Sequence, residues 1–255
     1  MSISEIEIPS SSNYKINMNI YSPKETKAII IYLHGFGSSK DNKTSMQLFE
    51  KLSKENISLI TFNFPLHGNS KSENLTITNC LNDFISVENY IKEKYEKIPI
   101  GIFGTSLGAY IILLRINLLE KNNYFTIILK SPALKLDEIF INHLLNDSFI
   151  NFKNNGFSYS GFSKKIKVPF IFYEELLNNK LFNIYHVDYP MLIIQGNKDE
   201  ISPFEDTLYF VNNINKKAIL QKIENGDHRF MGSGQIEKCL NLAFDYILKC
   251  LNNVK

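Results

Sequence analysis

The sequence predicts an α/β fold: a mostly parallel central sheet with helices on both faces and a segment inserted after the sixth strand. Three observations predict it. Short apolar runs recur along the chain, stretches with helical spacing lie between them, and one interval is too long for a single crossover helix.

At the amino end, Ile6 and Ile8, then Ile16, Met18 and Ile20, alternate with polar residues on either side of the turn-forming PSSSN, which predicts an antiparallel hairpin. The runs Ala28 to Leu33, Ser58 to Asn63, Ile100 to Phe103, Thr126 to Lys130 and Met191 to Gln195 are continuous enough for strands buried on both faces; Ala218 to Lys222 is a weaker sixth run. Between them, Met46, Phe49 and Leu52 share one helical face. So do Phe84, Val87, Tyr90 and Ile91; Ile111, Leu114 and Leu118; Leu208 and Val211; and Leu240, Phe244 and Ile247. Strand then helix, repeated, gives right-handed crossovers and parallel pairing.

The interval from Ser131 to Asp188 breaks the rhythm. It is rich in phenylalanine and tyrosine, with NNGFSYSGFS as an expected flexible middle. An insertion at the carboxyl end of a strand lies over the crevice where open α/β sheets bind ligands, so residues 131–188 are expected to form a cap, or lid, on a core made of 1–130 and 189–255.

Composition narrows the function classes. Of 255 residues, 44% are hydrophobic and 21% charged, which fits a globular protein and excludes disorder. The net charge is +2, and the basic residues are lysines except for Arg115 and Arg229, so nucleic acid is not an expected partner. Cys80, Cys239 and Cys250 are far apart with no CxxC pair, which argues for buried thiols rather than a disulfide framework or a thiolate metal site. The amino terminus lacks a basic head and apolar centre, and the apolar runs fall short of the roughly 20 residues needed to span a bilayer. A cytoplasmic protein with no membrane span is expected.

The chemistry centres on Gly104-Thr105-Ser106-Leu107-Gly108, between the strand PIGIF and the helix AYIILLRINLLE. Turning from strand to helix in so few residues strains the serine backbone and crowds the positions two before and two after it, which calls for glycine at both. The hydroxyl then projects from the sheet edge, and the Leu107 N–H faces the place where a substrate oxyanion would form.

Three further features occur in the order this architecture needs. LHGFGSS follows the strand ending IIIYL, and its turn can present the Phe36 N–H as a second oxyanion donor; His34 comes too early in the chain to be the base and is read as structural. In IIQGNKDEISP, Asp199 lies in the loop after a strand, where a carboxylate can orient an imidazole; Glu200 is the rival and reads as a solvated charge. In ENGDHRFMGSG, His228 follows the last strand and takes the position of the general base. Its neighbour Asp227 is expected to be a cap or surface charge, and His143 and His186 to be cap residues without chemistry.

Taken together, HGFGSS, NFPLHGNSKS, GTSLG, GNKDEISP and GDHRF resemble the α/β-hydrolase superfamily over nearly the whole chain. Within it the sequence is similar to the branch of cinnamoyl (feruloyl) esterases, monoacylglycerol lipases and serine aminopeptidase-like hydrolases. The resemblance implies Ser106 as nucleophile, Asp199 as acid, His228 as base, oxyanion donors at Phe36 and Leu107, and acyl transfer with no cofactor and no metal. Relatives commonly carry R-G-H-G-x-S where this chain has Pro65-Leu66-His67-Gly68-Asn69-Ser70, so the arginine is absent and His67 is read as holding the loop.

The expected activity is a carboxylesterase for small to medium acyl or aryl esters, with hydroxycinnamoyl esters as one case. Two rivals stay open. A serine aminopeptidase would need cap carboxylates for the substrate ammonium, which Glu174 and Glu175 could supply if they are not a solvated helix face. A non-catalytic ligand-binding protein would keep the fold alone.

Overall fold

The structure is a computed structural model that describes residues 2–162 and 165–254. Met1 and Lys255, at the outer ends of the expected core, and Ser163 and Lys164, the last residue of the expected flexible stretch and its neighbour in the expected cap, lie outside the described residues. In chain order the elements are β1 (Ser2–Pro9), β2 (Lys15–Ser22), β3 (Ala28–Leu33), α1 (Lys43–Leu52), β4 (Ile57–Phe62), α2 (Ile77–Lys94), β5 (Ile100–Thr105), α3 (Leu107–Asn117) and β6 (Ile127–Lys130). The chain continues with α4 (Leu136–Ile139), α5 (Phe149–Asn155), β7 (Phe157–Ser160), β8 (Ile166–Pro169), α6 (Phe170–Asn178) and α7 (Leu181–Ile184). It ends with β9 (Met191–Gly196), α8 (Phe204–Tyr209), β10 (Ala218–Ile223) and α9 (Gln235–Leu251).

Eight strands form one sheet in the order β1-β2-β4-β3-β5-β6-β9-β10. The hairpin β1–β2 pairs antiparallel and joins β4 antiparallel; every pair from β4 to β10 is parallel. The strands β3 to β6 and β9 are buried along their length, save half-buried Thr105 at the end of β5, as continuous apolar runs covered on both faces require. One face packs Phe49 and Leu52 of α1 and Leu240, Ala243 and Ile247 of α9 against Ile30, Phe103, Ile128 and Ile194. The other packs α2 and α3 against Ile29, Ile31, Ile102 and Leu129.

Strand order reverses at β3, because the chain crosses from β3 to β4 on one side and returns to β5 on the other. Loops leaving β3 and β5 therefore part, opening the crevice in which α/β sheets bind ligands.

Residues 131–188 carry α4 to α7 and a two-stranded antiparallel ribbon, β7–β8. The middle expected to be flexible is thus partly strand: Phe157 to Ser160 pair with Pro169 to Ile166, and the Phe157 ring stacks edge-on against Tyr159. Glycine and serine pointed to a linker, yet the alternating burial of Ser158 and Ser160 is strand-like. Phe140, Phe152 and Phe172 are fully buried and pack at 5.6 Å between ring centres, Phe140 to each of the others. They join the same apolar cluster as α2 and α3, so the insertion shares the core rather than owning one.

Candidate active site

Ser106 stands between the end of β5 and the start of α3 with φ 52° and ψ −110°, outside the regions comfortable for a side chain. The flanking glycines are forced. A Cβ on Gly108 would lie 2.2 Å from the Leu33 carbonyl oxygen, and one on Gly104 2.6 Å from the Ala109 nitrogen. The turn is pinned by the Ser106 N–H donating to the Lys130 carbonyl at 3.0 Å and by Tyr110 N–H donating back to Ser106 O at 3.0 Å.

Two loops deliver the partners. Parallel pairing of β9 with β10 sets their exits side by side, and the loops are laced together: Lys198 N–H donates to Gly226 O at 2.9 Å and Asn225 N–H to Asn197 Oδ1 at 2.6 Å. A Cβ on Gly196 would collide with Gly226 O at 2.1 Å, so only glycine allows this approach. Across 122 positions of chain, His228 Nε2 then lies 3.1 Å from Ser106 Oγ. Its Nδ1–H donates to Asp199 Oδ2 at 2.9 Å. With Nδ1 facing a carboxylate, Nε2 is left as the acceptor for the serine hydroxyl.

The Asp199 side chain is wholly buried yet well supplied with donors: Gln195 Nε2 at 2.7 Å, Ser202 N–H at 2.8 Å and Ile201 N–H at 3.0 Å, besides the ring. Fixed dipoles of this kind replace water around a buried carboxylate. Glu200 is exposed, and Asp227 caps its own turn by accepting from Arg229 and Met231 N–H. Neither enters the constellation.

Gly35 lies against Ser106, since a Cβ there would sit 3.4 Å from Ser106 Cβ. That brings the β3 loop to the site: Phe36, Ser106 and His228 line one cavity of about 610 Å³. His34 is structural as expected: Nδ1–H donates to Gly35 O at 2.8 Å while Nε2 accepts from Phe64 N–H at 3.2 Å, tying the β3 and β4 loops together. His67 donates from Nδ1 to Pro65 O at 2.8 Å and packs edge-on against Phe36, so it holds that loop.

The family model described as serine aminopeptidase, S33, matches residues 24–169, more than half of the chain. The chain belongs to that family. The match takes in the Ser106 turn and stops before Asp199 and His228. This S33-family chain is 25% identical over 259 residues to "Putative esterase/lipase 2" of Mycoplasma genitalium, covering 92% of this chain and 93% of that protein. It is 24% identical to the "Monoglyceride lipase homolog" of monkeypox virus, over 79% of this chain and 82% of the other. Among solved structures, that of ferulic acid bound to Est1E from Butyrivibrio proteoclasticus superposes with a TM-score of 0.82 at 20% identity, covering 97% of this chain and 100% of that one. The likeness shows an α/β-hydrolase fold.

Other S33-chain residues at the site were not singled out in the sequence. Gln195 bridges Asp199 and Ser202 O. Lys130 Nζ and Ser131 Oγ both donate to the His228 carbonyl, at 3.1 and 3.0 Å, and so fix the loop that carries the ring. The available signal was a polar residue ending a wholly buried strand, glutamine in MLIIQ and lysine in IILK. Elsewhere, Glu175 accepts from Thr78 N–H at 3.0 Å and Thr78 Oγ1 at 2.8 Å, fastening α6 to α2, and Glu174 is exposed. His143 lies in a π-helical turn of the insertion and His186 Nδ1–H donates to Ile184 O, both away from Ser106. Cys80 and Cys239 are buried thiols, whereas Cys250 is half-buried. Among the described residues no cluster of metal-ligating side chains occurs, and no helix is long and apolar enough to cross a membrane.

Proposed function

We propose that this protein is a serine hydrolase that cleaves carboxylic esters through an acyl-enzyme on Ser106. The observation that carries the reading is the unbroken contact from the Ser106 hydroxyl through the His228 ring to Asp199. In this scheme Nε2 takes the hydroxyl proton as Oγ attacks the ester carbonyl carbon. The carbonyl electron pair moves onto oxygen, toward the N–H groups of Phe36 and Leu107. Collapse breaks the bond to the alcohol, which leaves with the proton held by His228. Water, deprotonated in turn by Nε2, attacks the acyl carbon, releases the acid and restores the serine. Asp199 stays ionised throughout, keeping Nδ1–H in place and stabilising the imidazolium.

Residues 131–188 act as a cap in this reading, with Leu136, Ile139, Leu144 and Phe162 supplying an apolar wall of the cavity. Small to medium acyl or aryl esters suit that wall, hydroxycinnamoyl esters among them, and the esterase and lipase names of the relatives point the same way.

The description of the family itself favours a second reading, aminopeptidase. A substrate ammonium calls for a carboxylate, and among the described residues lining the cavity there is none. The test sets a short-chain nitrophenyl ester beside an aminoacyl naphthylamide, together with labelling by a fluorophosphonate. Ester turnover and labelling are expected, both lost in Ser106→Ala. Turnover of the amide alone would favour the peptidase, and an unlabelled, inactive protein would favour a ligand-binding role.

A further inference from the structure

The cavity beside Ser106 has two walls of opposite chemistry. Leu136, Ile139 and Leu144 belong to the apolar cluster on the α2–α3 face of the sheet. Tyr32 packs in the cluster on the α1–α9 face, and alternation along β5 and β6 puts Thr105 and Lys130, register partners, on that face with Phe103 and Ile128. Tyr32 OH and Thr105 Oγ1 are 3.2 Å apart, and Asn42 and Gln47 of the α1 end complete a polar recess behind the nucleophile.

Charge in this cavity runs one way. Lys43, Lys130 and Arg229 line it, and among the described lining residues there is no aspartate or glutamate. Lys43 and Arg229 are exposed at the rim, whereas Lys130 is only 3% exposed. Its Nζ meets the His228 carbonyl oxygen at 3.1 Å and lies 4.2 Å from the centre of the Phe230 ring. A carbonyl and a ring face attract an ammonium without cancelling its charge. Asp199 and Asp227 are near enough to be felt, but one is engaged with His228 and the other caps its own turn. Burial accordingly pushes the Lys130 pKa down from its ordinary value.

We infer that the ester taken by this cavity carries an anionic oxygen group, a carboxylate or a phosphate, which sits in the polar recess and pairs with Lys130 while the ester carbonyl lies at Ser106. The inference rests on the esterase reading above and deepens it to a substrate class. Two donors of the Lys130 ammonium remain beyond the bond to His228, which is the capacity such a group needs. Burial raises the Tyr32 hydroxyl to about 12, so it keeps its proton, which points toward Asn42 Oδ1 at 3.4 Å inside the same recess. The rim cations draw the same charge inward from solvent.

Two measurements test this. Wild-type protein is compared on 4-nitrophenyl hydrogen glutarate and 4-nitrophenyl hexanoate, matched in length and differing in charge. Separately, binding of 3-phenylpropionate, phenyl phosphate and 3-phenylpropan-1-ol to the Ser106→Ala protein is followed by calorimetry, with and without Lys130→Met. At least about tenfold tighter binding of one anion over the neutral alcohol is expected, falling to near parity without Lys130; which anion wins separates carboxylate from phosphate. The glutarate shows on which side of the ester the charge belongs: preference over hexanoate puts it on the acyl side, and equal or poorer turnover with anion binding intact puts it on the alcohol side. Equal binding of the alcohol by Ser106→Ala, or an anion preference that survives loss of Lys130, would overturn the inference. Should Lys130→Met not fold, the anion-to-alcohol comparison in Ser106→Ala decides alone. Loss of the esterase reading would show as no turnover of hexanoate and no fluorophosphonate labelling, with anion binding unaffected.

Discussion

Asp199 and Asp83 are both buried carboxylates with ample hydrogen bonds, and they differ in what donates those bonds. Asp199 meets an imidazole, an amide and two backbone N–H groups at the sheet's carboxyl edge. Asp83, on α2, meets two hydroxyls: Ser10 Oγ and Tyr14 OH, each at 2.7 Å, from the turn of the β1–β2 hairpin. Hydroxyls carry no charge to offset desolvation, so burial raises the Asp83 carboxyl to about 6. Glu88, one turn farther along α2, is also buried, but Arg115 Nε donates to it at 2.9 Å and Lys92 pairs with it, and these cations hold its pKa below the usual value against the pull of burial. Asp83 and Glu88 share their burial, so it is the charge of the partner that sets the direction in which each carboxyl shifts.

The largest expected effect breaks Asp199, which the proposed mechanism uses. Asp199→Asn keeps the shape but presents an amide to the ring, favouring the wrong tautomer, and kcat for ester hydrolysis should fall about 10⁴-fold with the fold intact by circular dichroism. Next comes the ion pair. Arg115→Met leaves buried Glu88 with Lys92 as its remaining cation and should cost about 3 kcal/mol in urea denaturation at pH 7. Because the folded pKa of Glu88 is depressed, its contribution is present above the unfolded value and fades as pH falls through the folded one.

Asp83 has the opposite sign. Between its ordinary value of 3.8 and about 6, the folded protein holds a proton that the unfolded chain has released, so stability falls as pH rises through that window. The cost at pH 7 is on the order of 3 kcal/mol. Asp83→Asn should flatten the urea midpoint between pH 4.5 and 6.5 relative to wild type, above the range where Glu88 titrates. An unchanged slope in the variant would place the titration elsewhere.

Much of this was legible in the sequence where local rules and long-range geometry agree. The strands were visible because a parallel sheet covered on both faces needs unbroken apolar runs, and Ser106 because the steric demand at Gly104 and Gly108 leaves a five-residue trace. Asp199 and His228 were singled out by their places after β9 and β10, and the structure brings both to Ser106, while Phe36, after β3, lines the same cavity. What stayed hidden depends on partners distant in the chain. Ser10 and Asp83 are 73 positions apart, and Lys130 and His228 98, so no periodicity announces either contact. The β7–β8 ribbon was masked by glycine and serine, whose turn preference is overridden where Ser158 and Ser160 are buried. Glu175 read as a solvated charge because its acceptor role depends on α6 lying against the first turn of α2.

Gln195 sharpens the comparison at the small end. It does for Asp199 what Ser10 does for Asp83, since a neutral group donates to a buried carboxylate, yet it is one donor among four and the others include the ring that needs orienting. Its amide is locked, because Nε2 faces two acceptors, Asp199 Oδ2 at 2.7 Å and Ser202 O at 2.8 Å. One hydrogen bond to a charged group is worth about 1.5 kcal/mol, so Gln195→Met should lower kcat roughly tenfold with KM little changed. It leaves Asp199 bonded to His228 and to the two backbone N–H groups, and the shape of the pH–rate profile should therefore persist. A loss near that of Asp199→Asn would mean that the carboxylate turns away from the ring once the amide is gone, and that Gln195, rather than the two backbone N–H groups, decides where Asp199 points.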